Sequence, residues 1–158
     1  MIAFERSISL KSISMTRVFL DSDVILDFLL GREPFALSAG IIFAHGEGGK
    51  LQLCTSTVSF LNVHYVASTQ TNKGEAEKLI RQLRALVSLL PVTAETVDVA
   101  LGSEGPDLED KVQFMCAQEN QVDFLVTRNI KHYPKTGLRV MLPDVFIETV
   151  PKLFPGSS

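Results

Sequence analysis

With 158 residues, 46% of them hydrophobic, the chain is sized for one domain with its own core, and it is too apolar to be disordered. A net charge of −3 and a pI near 5.6 exclude a protein that coats nucleic acid through a broad basic face, although a local cluster of cations can still grip a short RNA. No apolar run reaches the length of a membrane span, and the 2 cysteines, without CxxC spacing or a nearby histidine, read as free thiols in a reducing cytoplasm.

Residues 1–15, "MIAFERSISLKSISM", lack the long apolar centre and cleavage site of a secretory signal, and read as an irregular lead-in to a single domain over 16–158. A short apolar strand is expected at 17–20 and a buried helix at 24–30. Pro34 suits the first turn of a helix running to about 44, closed by the glycines at 46, 48 and 49. "KLQLCTS" reads as a second strand and "TVSFLNVHYVAS" as a helix rich in β-branched residues. From 74 to 90, Ala76, Leu79, Ile80, Leu83, Leu86, Val87 and Leu90 recur at helical spacing, with Pro91 ending the helix. "LPVT" reads as a brief strand, 95–101 as a short helix, and 107–120 as a helix after the turn residues "GSEGP". The strand "VDFLVT", the loop "RNIKHYPKTG", the strand "LRVML" and a helix after Pro143 complete the chain. Strands alternating with helices predict a parallel α/β sheet covered on both faces.

In such a sheet ligands gather at the carboxyl ends of the strands. Asp21 falls at the end of the first strand, with Asp23 two residues on. Thr127, Arg128 and Asn129 fall at the end of a later one. Asp107, Glu109 and Asp110 open a helix, with Asp107 and Asp110 on one face. Each acid also has a purely structural use: Asp21 or Ser22 can cap the following helix, and acids in a first helical turn meet the helix dipole. Several carboxylates converging at one rim repel unless a cation joins them, and Mg²⁺ or Mn²⁺ suits oxygen ligands.

The segments "FLDSDVILDFLL", "TSTVSFLNVHYV", "DLEDKVQFMCAQ", "VDFLVTRNIKHYP" and "LPDVFIETV" resemble, in order and spacing, those of PIN-domain proteins, and most closely a bacterial branch with Asn in the second motif and "TRN" in the fourth. The resemblance covers nearly everything after Met15. It implies a three-layer α/β/α sandwich around a central parallel sheet and a Mg²⁺- or Mn²⁺-dependent ribonuclease. Many bacterial members are toxins restrained by an antitoxin, and such proteins commonly form homodimers. By position, Asp21 and Asp110 match acids of the metal site, and Asp107 is an additional carboxylate one turn before Asp110. Asn62 and Asn129 stand where many members have Glu and Asp, Thr127 precedes Asn129 in the usual place, and Asp23 takes a position that orients the site. The implied chemistry is metal-assisted hydrolysis of RNA, with one firm cation and a weaker second one about 3.5–4 Å away. Arg128, Lys131 and His132, with Lys135 and Arg139 beyond them, are candidates for RNA phosphates. Each is equally an ordinary residue of a solvated loop.

Two other readings stay open at this point. An apolar strand ending Asp-x-Asp-Val also resembles the first motif of haloacid-dehalogenase-type phosphatases. There Asp21 is the nucleophile and Asp23 the general acid/base, with Thr55 or Ser56 and the pair Asp107 and Asp110 in later motifs. No lysine stands convincingly in that family's third motif. The amides at 62 and 129 also admit a PIN fold that binds without cutting.

Overall fold

The computed structural model describes residues 15–135 and 137–154. The expected lead-in over 1–15 therefore lies, Met15 apart, outside the described residues. Five parallel strands form one sheet: β1 (Thr16–Leu20), β2 (Leu51–Ser56), β3 (Ser88–Leu90), β4 (Phe124–Val126) and β5 (Arg139–Met141), in the order β3-β2-β1-β4-β5. Among the described residues seven α-helices connect and follow them: α1 (Ser22–Leu30), α2 (Ala36–Glu47), α3 (Thr57–Gln70), α4 (Lys73–Leu86), α5 (Ala94–Leu101), α6 (Leu108–Glu119) and α7 (Pro143–Leu153). This is the expected α/β/α arrangement.

The central strands are buried on both faces, and their two-residue period divides the core in two. Val18, Leu20, Leu51, Leu53, Phe124 and Val126 point into one layer, with α1, α2, α3, α4 and α7. Phe19, Cys54 and Leu125 point into the other, where α6 supplies Phe114, Cys116 and Ala117. Phe19 lies in register with Cys54 on one side and Leu125 on the other, so the alternation is matched across three strands. Both thiols are free and buried in this layer. Burial, and then the nearby Glu119, push the Cys116 thiol up to about 11. We expect Cys54 and Cys116 to resist iodoacetamide at pH 8 in the native protein and to react at once in urea, since only the thiolate attacks. Native labelling at the rate of a free thiol would contradict their burial.

The expected helix over 74–90 is corrected. The helix stops at Leu86; Val87 is extended, at φ −127° and ψ 147°, and Ser88–Leu90 is an edge strand paired with Cys54, Thr55 and Ser56. An apolar run such as "LVSLL" fits either period, and only a free sheet edge beside β2 decides for the strand. Arg84 secures the switch by donating to the Val87 carbonyl at 3.1 Å. The expected strand "LPVT" moves upstream accordingly, because Pro91 cannot donate to a ladder. At α2, Gly46 lies inside the helix rather than closing it, with Gly48 as the C-cap. Pro34 lies in the turn before the helix and not in its first turn.

Candidate active site

The chain runs outward from β1 to β2 and β3, then returns to place β4 on the other side of β1. This reversal leaves a crevice at the carboxyl ends of β1 and β4. Asp21 continues β1 there, its N–H donating to the Val126 carbonyl at 3.0 Å, and Thr127 continues β4.

Asp21 is 5% exposed and does two things at once. As N-cap of α1 its Oδ1 accepts from Ser22 N at 2.8 Å, the structural use open to it from the sequence. Its Oδ2 accepts from the Thr127 hydroxyl at 2.8 Å and from the Tyr133 hydroxyl at 2.8 Å. Tyr133 also reaches Asp110 Oδ1 at 3.5 Å, so one phenol links the acids at the ends of β1 and the start of α6. Burial, and then the charges of Asp21 and Asp110, raise the Tyr133 pKa, so the hydroxyl keeps its proton and donates. Removing this donor by Tyr133→Phe is expected to cost about 1–2 kcal/mol in urea denaturation with EDTA present. An unchanged midpoint would mean that the phenol packs but does not hold the carboxylates.

Around this link stand the other expected residues. Asp107 is the N-cap of α6, its Oδ1 accepting from Asp110 N at 2.9 Å, and it is exposed. His132 Nδ1 pairs with Asp110 Oδ2 at 2.9 Å, so this side chain faces the acids. Asn129 Nδ2 donates to Asp23 Oδ2 at 3.1 Å, and the backbone N–H of Arg128 reaches the same oxygen at 3.3 Å. Asn62 Nδ2 lies 3.5 Å from Ser22 Oγ and 3.4 Å from Glu109 Oε1. Lys131 is exposed at the rim, and Lys135 is exposed beyond it.

The Arg128 side chain takes a place the sequence did not suggest. Its Nε donates to Asp27 Oδ2 at 2.8 Å, and its guanidinium lies 3.9 Å over the Phe35 ring. Arg32 Nε donates to Asp27 Oδ1 at 3.0 Å from the other side. Arg139, the most distal of the candidate cations, stacks on Phe124 at 4.8 Å. Glu109 was named from the sequence only among the acids that open a helix, and Tyr133 and Asp27 were not singled out at all. A signal existed only for Asp27, an acid inside the apolar run "DVILDFLL" followed by an arginine five residues later.

The electrostatics are those of crowded acids. Burial, and then Asp21, push the Asp23 carboxyl up to about 7 against the pull of Arg128. Asp110 and Glu109 are raised by the same two causes in the same order, with His132 partly offsetting the shift at Asp110. Asp23 Oδ1 is buried without a hydrogen-bond partner. An orphaned carboxylate oxygen and neighbouring acids held above their usual range make a donor set that fits a hard divalent cation. Among the described residues no group of three or more His, Cys, Asp or Glu side chains is placed to hold a metal ion. Mg²⁺ does not need one, since it keeps several waters and takes one or two carboxylates.

The comparisons agree with this architecture. Solved structures similar in fold include DNA-bound VapBC from Salmonella typhimurium, at TM-score 0.62 and 12% identity over 82% of this chain and 99% of that one. A toxin–antitoxin complex from Klebsiella pneumoniae aligns at TM-score 0.59 and 19% identity over 80% of this chain and 97% of that one. Mycobacterium tuberculosis VapC20, described as a sarcin–ricin loop cleaving toxin, aligns at 0.57 and 12% over 68% and 86%. At such identities these likenesses carry the fold and not the activity. No curated protein matches this chain in sequence. The sequence profile of the PIN domain matches residues 17–131, and by that match this chain belongs to the PIN-domain family.

Proposed function

We propose that this chain is a Mg²⁺- or Mn²⁺-dependent ribonuclease and the toxin of a toxin–antitoxin pair, built as one PIN-like domain over 16–158. The observation that carries the reading is the buried Asp21 carboxylate tied through the Tyr133 hydroxyl to Asp110 at the β1/β4 crevice, among acids whose carboxyls burial and one another's charge raise. Asp21 and Asp110 hold the cation in this reading, and Asp107 supplies charge from the helix start. Asp23, Asn62, Thr127 and Asn129 orient the carboxylates. When bound, the cation supplies positive charge for the scissile phosphodiester and favours deprotonation of the attacking water. Tyr133 and Thr127 fix the Asp21 carboxylate in place by donating to it. His132, paired with Asp110 and exposed on its other side, is positioned to meet an RNA phosphate, as is Lys131. The Arg128 guanidinium anchors the loop through Asp27, so it is assigned to positioning.

Membership of the PIN family sets aside the aspartyl-phosphatase reading, which required a phosphorylated Asp21. An antitoxin partner is supported by relatives of the same fold solved in toxin–antitoxin complexes. Among the described residues no helix is long and apolar enough to cross a membrane. RNA as substrate and two free thiols suit the cytoplasm, and a homodimer is the assembly expected in sedimentation. The deciding experiment is cleavage of labelled single-stranded RNA with Mn²⁺ and with EDTA. Cutting that EDTA abolishes supports the reading; cutting that persists in EDTA overturns it. The amides at 62 and 129, both donating to acids, favour one second reading: a PIN domain that binds metal without cutting. Calorimetric Mn²⁺ binding with no cleavage of any RNA offered would select it.

A further inference from the structure

The first turn of α6 straddles the crevice. Successive helical residues are rotated by roughly 100°, so Glu109 and Asp110 leave the helix in different directions. Asp110 turns toward His132 and Tyr133. Glu109 turns toward α3, where its Oε1 accepts from Asn62 Nδ2 at 3.4 Å. A carboxylate only accepts, so the nitrogen end of the Asn62 amide must face it. The same nitrogen lies 3.5 Å from the hydroxyl of Ser22, the residue next to Asp21. Asn62 thus ties Glu109 to the start of α1. Asp107, by contrast, is exposed and caps its own helix.

We infer that Glu109, positioned by Asn62, is the third carboxylate ligand of the cation held by Asp21 and Asp110, and that Asp107 is not a ligand. The neutral amide at 62 brings no charge, while Glu109 brings one from the opposite helix to the same gap. Glu109 is exposed and has three side-chain torsions, so it is the acid free to swing onto an arriving ion. The inference rests on the metal-dependent reading above.

The test is calorimetric titration of the full chain with Mn²⁺ alone, beside thermal melting in EDTA. Asp110→Asn should abolish binding, Glu109→Gln should weaken it at least about tenfold, and Asp107→Asn, which still caps and removes only a charge outside the ligand set, should weaken it several-fold less than Glu109→Gln. In EDTA, Glu109→Gln should melt above the wild type, since one of the crowded charges is gone, and Mn²⁺ should raise its melting point less. Wild-type affinity in Glu109→Gln, with binding lost in Asp110→Asn, would overturn the Glu109 assignment and leave the metal site standing. Weakening by Asp107→Asn with Glu109→Gln unaffected would transfer the role to Asp107. No Mn²⁺ binding by the wild type would remove the metal reading and this inference with it.

Discussion

Asp110→Asn is expected to lower metal-dependent RNA cleavage by about 10²–10³-fold while leaving the protein folded, the cost typical of deleting one electrostatic group at a reacting centre. The side chain sits at the third position of α6, where His132 and Tyr133 both reach its oxygens. Asparagine keeps the shape and can still accept one of these hydrogen bonds, but it removes the negative charge. Fold and activity therefore separate at this position. Burial and the neighbouring Asp21 raise the Asp110 carboxyl, so the ionised acid carries repulsion in the metal-free protein. Its removal should leave the metal-free melting temperature unchanged or higher. Single-turnover cleavage in Mn²⁺ and melting in EDTA, made on the same preparation, read the two halves. Loss of activity together with a collapse of the melting temperature would show that Asp110 holds the fold rather than the reaction.

Asp27→Ala is expected to destabilise the chain by about 3 kcal/mol, the lower end of the cost of breaking a buried pair, because its two arginines are partly open to water. The Asp27 side chain is 1% exposed, and those of Arg32 and Arg128 are 30% and 28% exposed. Arg128 gives Asp27 two bonds, at 2.8 and 3.3 Å, and Arg32 gives it one at 3.0 Å. Alanine removes the buried carboxylate that pairs with both guanidinia. The damage reaches the crevice, because the backbone of Arg128 contacts Asp23 and its neighbours are Thr127 and Asn129. Cleavage should therefore fall as well, even though Asp27 touches nothing in the crevice. The exposed pair Arg81–Glu77 is the internal control, since Glu77→Ala should change stability by no more than about 0.5 kcal/mol. Urea denaturation of both variants settles the comparison. Equal small losses would mean that Asp27 is hydrated in solution and does not anchor the loop.

The two predictions concern acids that look alike in the sequence. Asp21, Asp23 and Asp27 lie within seven positions, yet they have separate roles. Asp21 caps a helix and joins Asp110. Asp23 stays near the crevice with one orphaned oxygen and a carboxyl raised to about 7. Asp27, one turn further along α1, is turned into the arginine pair.

Much of this was determined by the sequence alone. Short apolar strands alternating with helices dictate a parallel, doubly covered sheet, and the ordered motifs around Asp21, Asn62, Asp110 and Thr127 single out the rim where acids meet. These are local signals, carried by side-chain period and by residues within one turn of each other. The tertiary structure alone decided the rest. Whether "LVSLL" continued a helix or made a strand depended on an open edge beside β2, a partner over thirty positions away. Tyr133 became the link between Asp21 and Asp110 only when the turn after β4 folded across the crevice, bringing together residues separated by 112 and 23 positions. Arg128 was withdrawn into an ion pair with an acid 101 positions earlier, and Glu109 was turned toward Asn62, 47 positions away. A hydrogen bond or ion pair is specified by distance and direction in space, and separations of this length leave no period in the chain from which to read them.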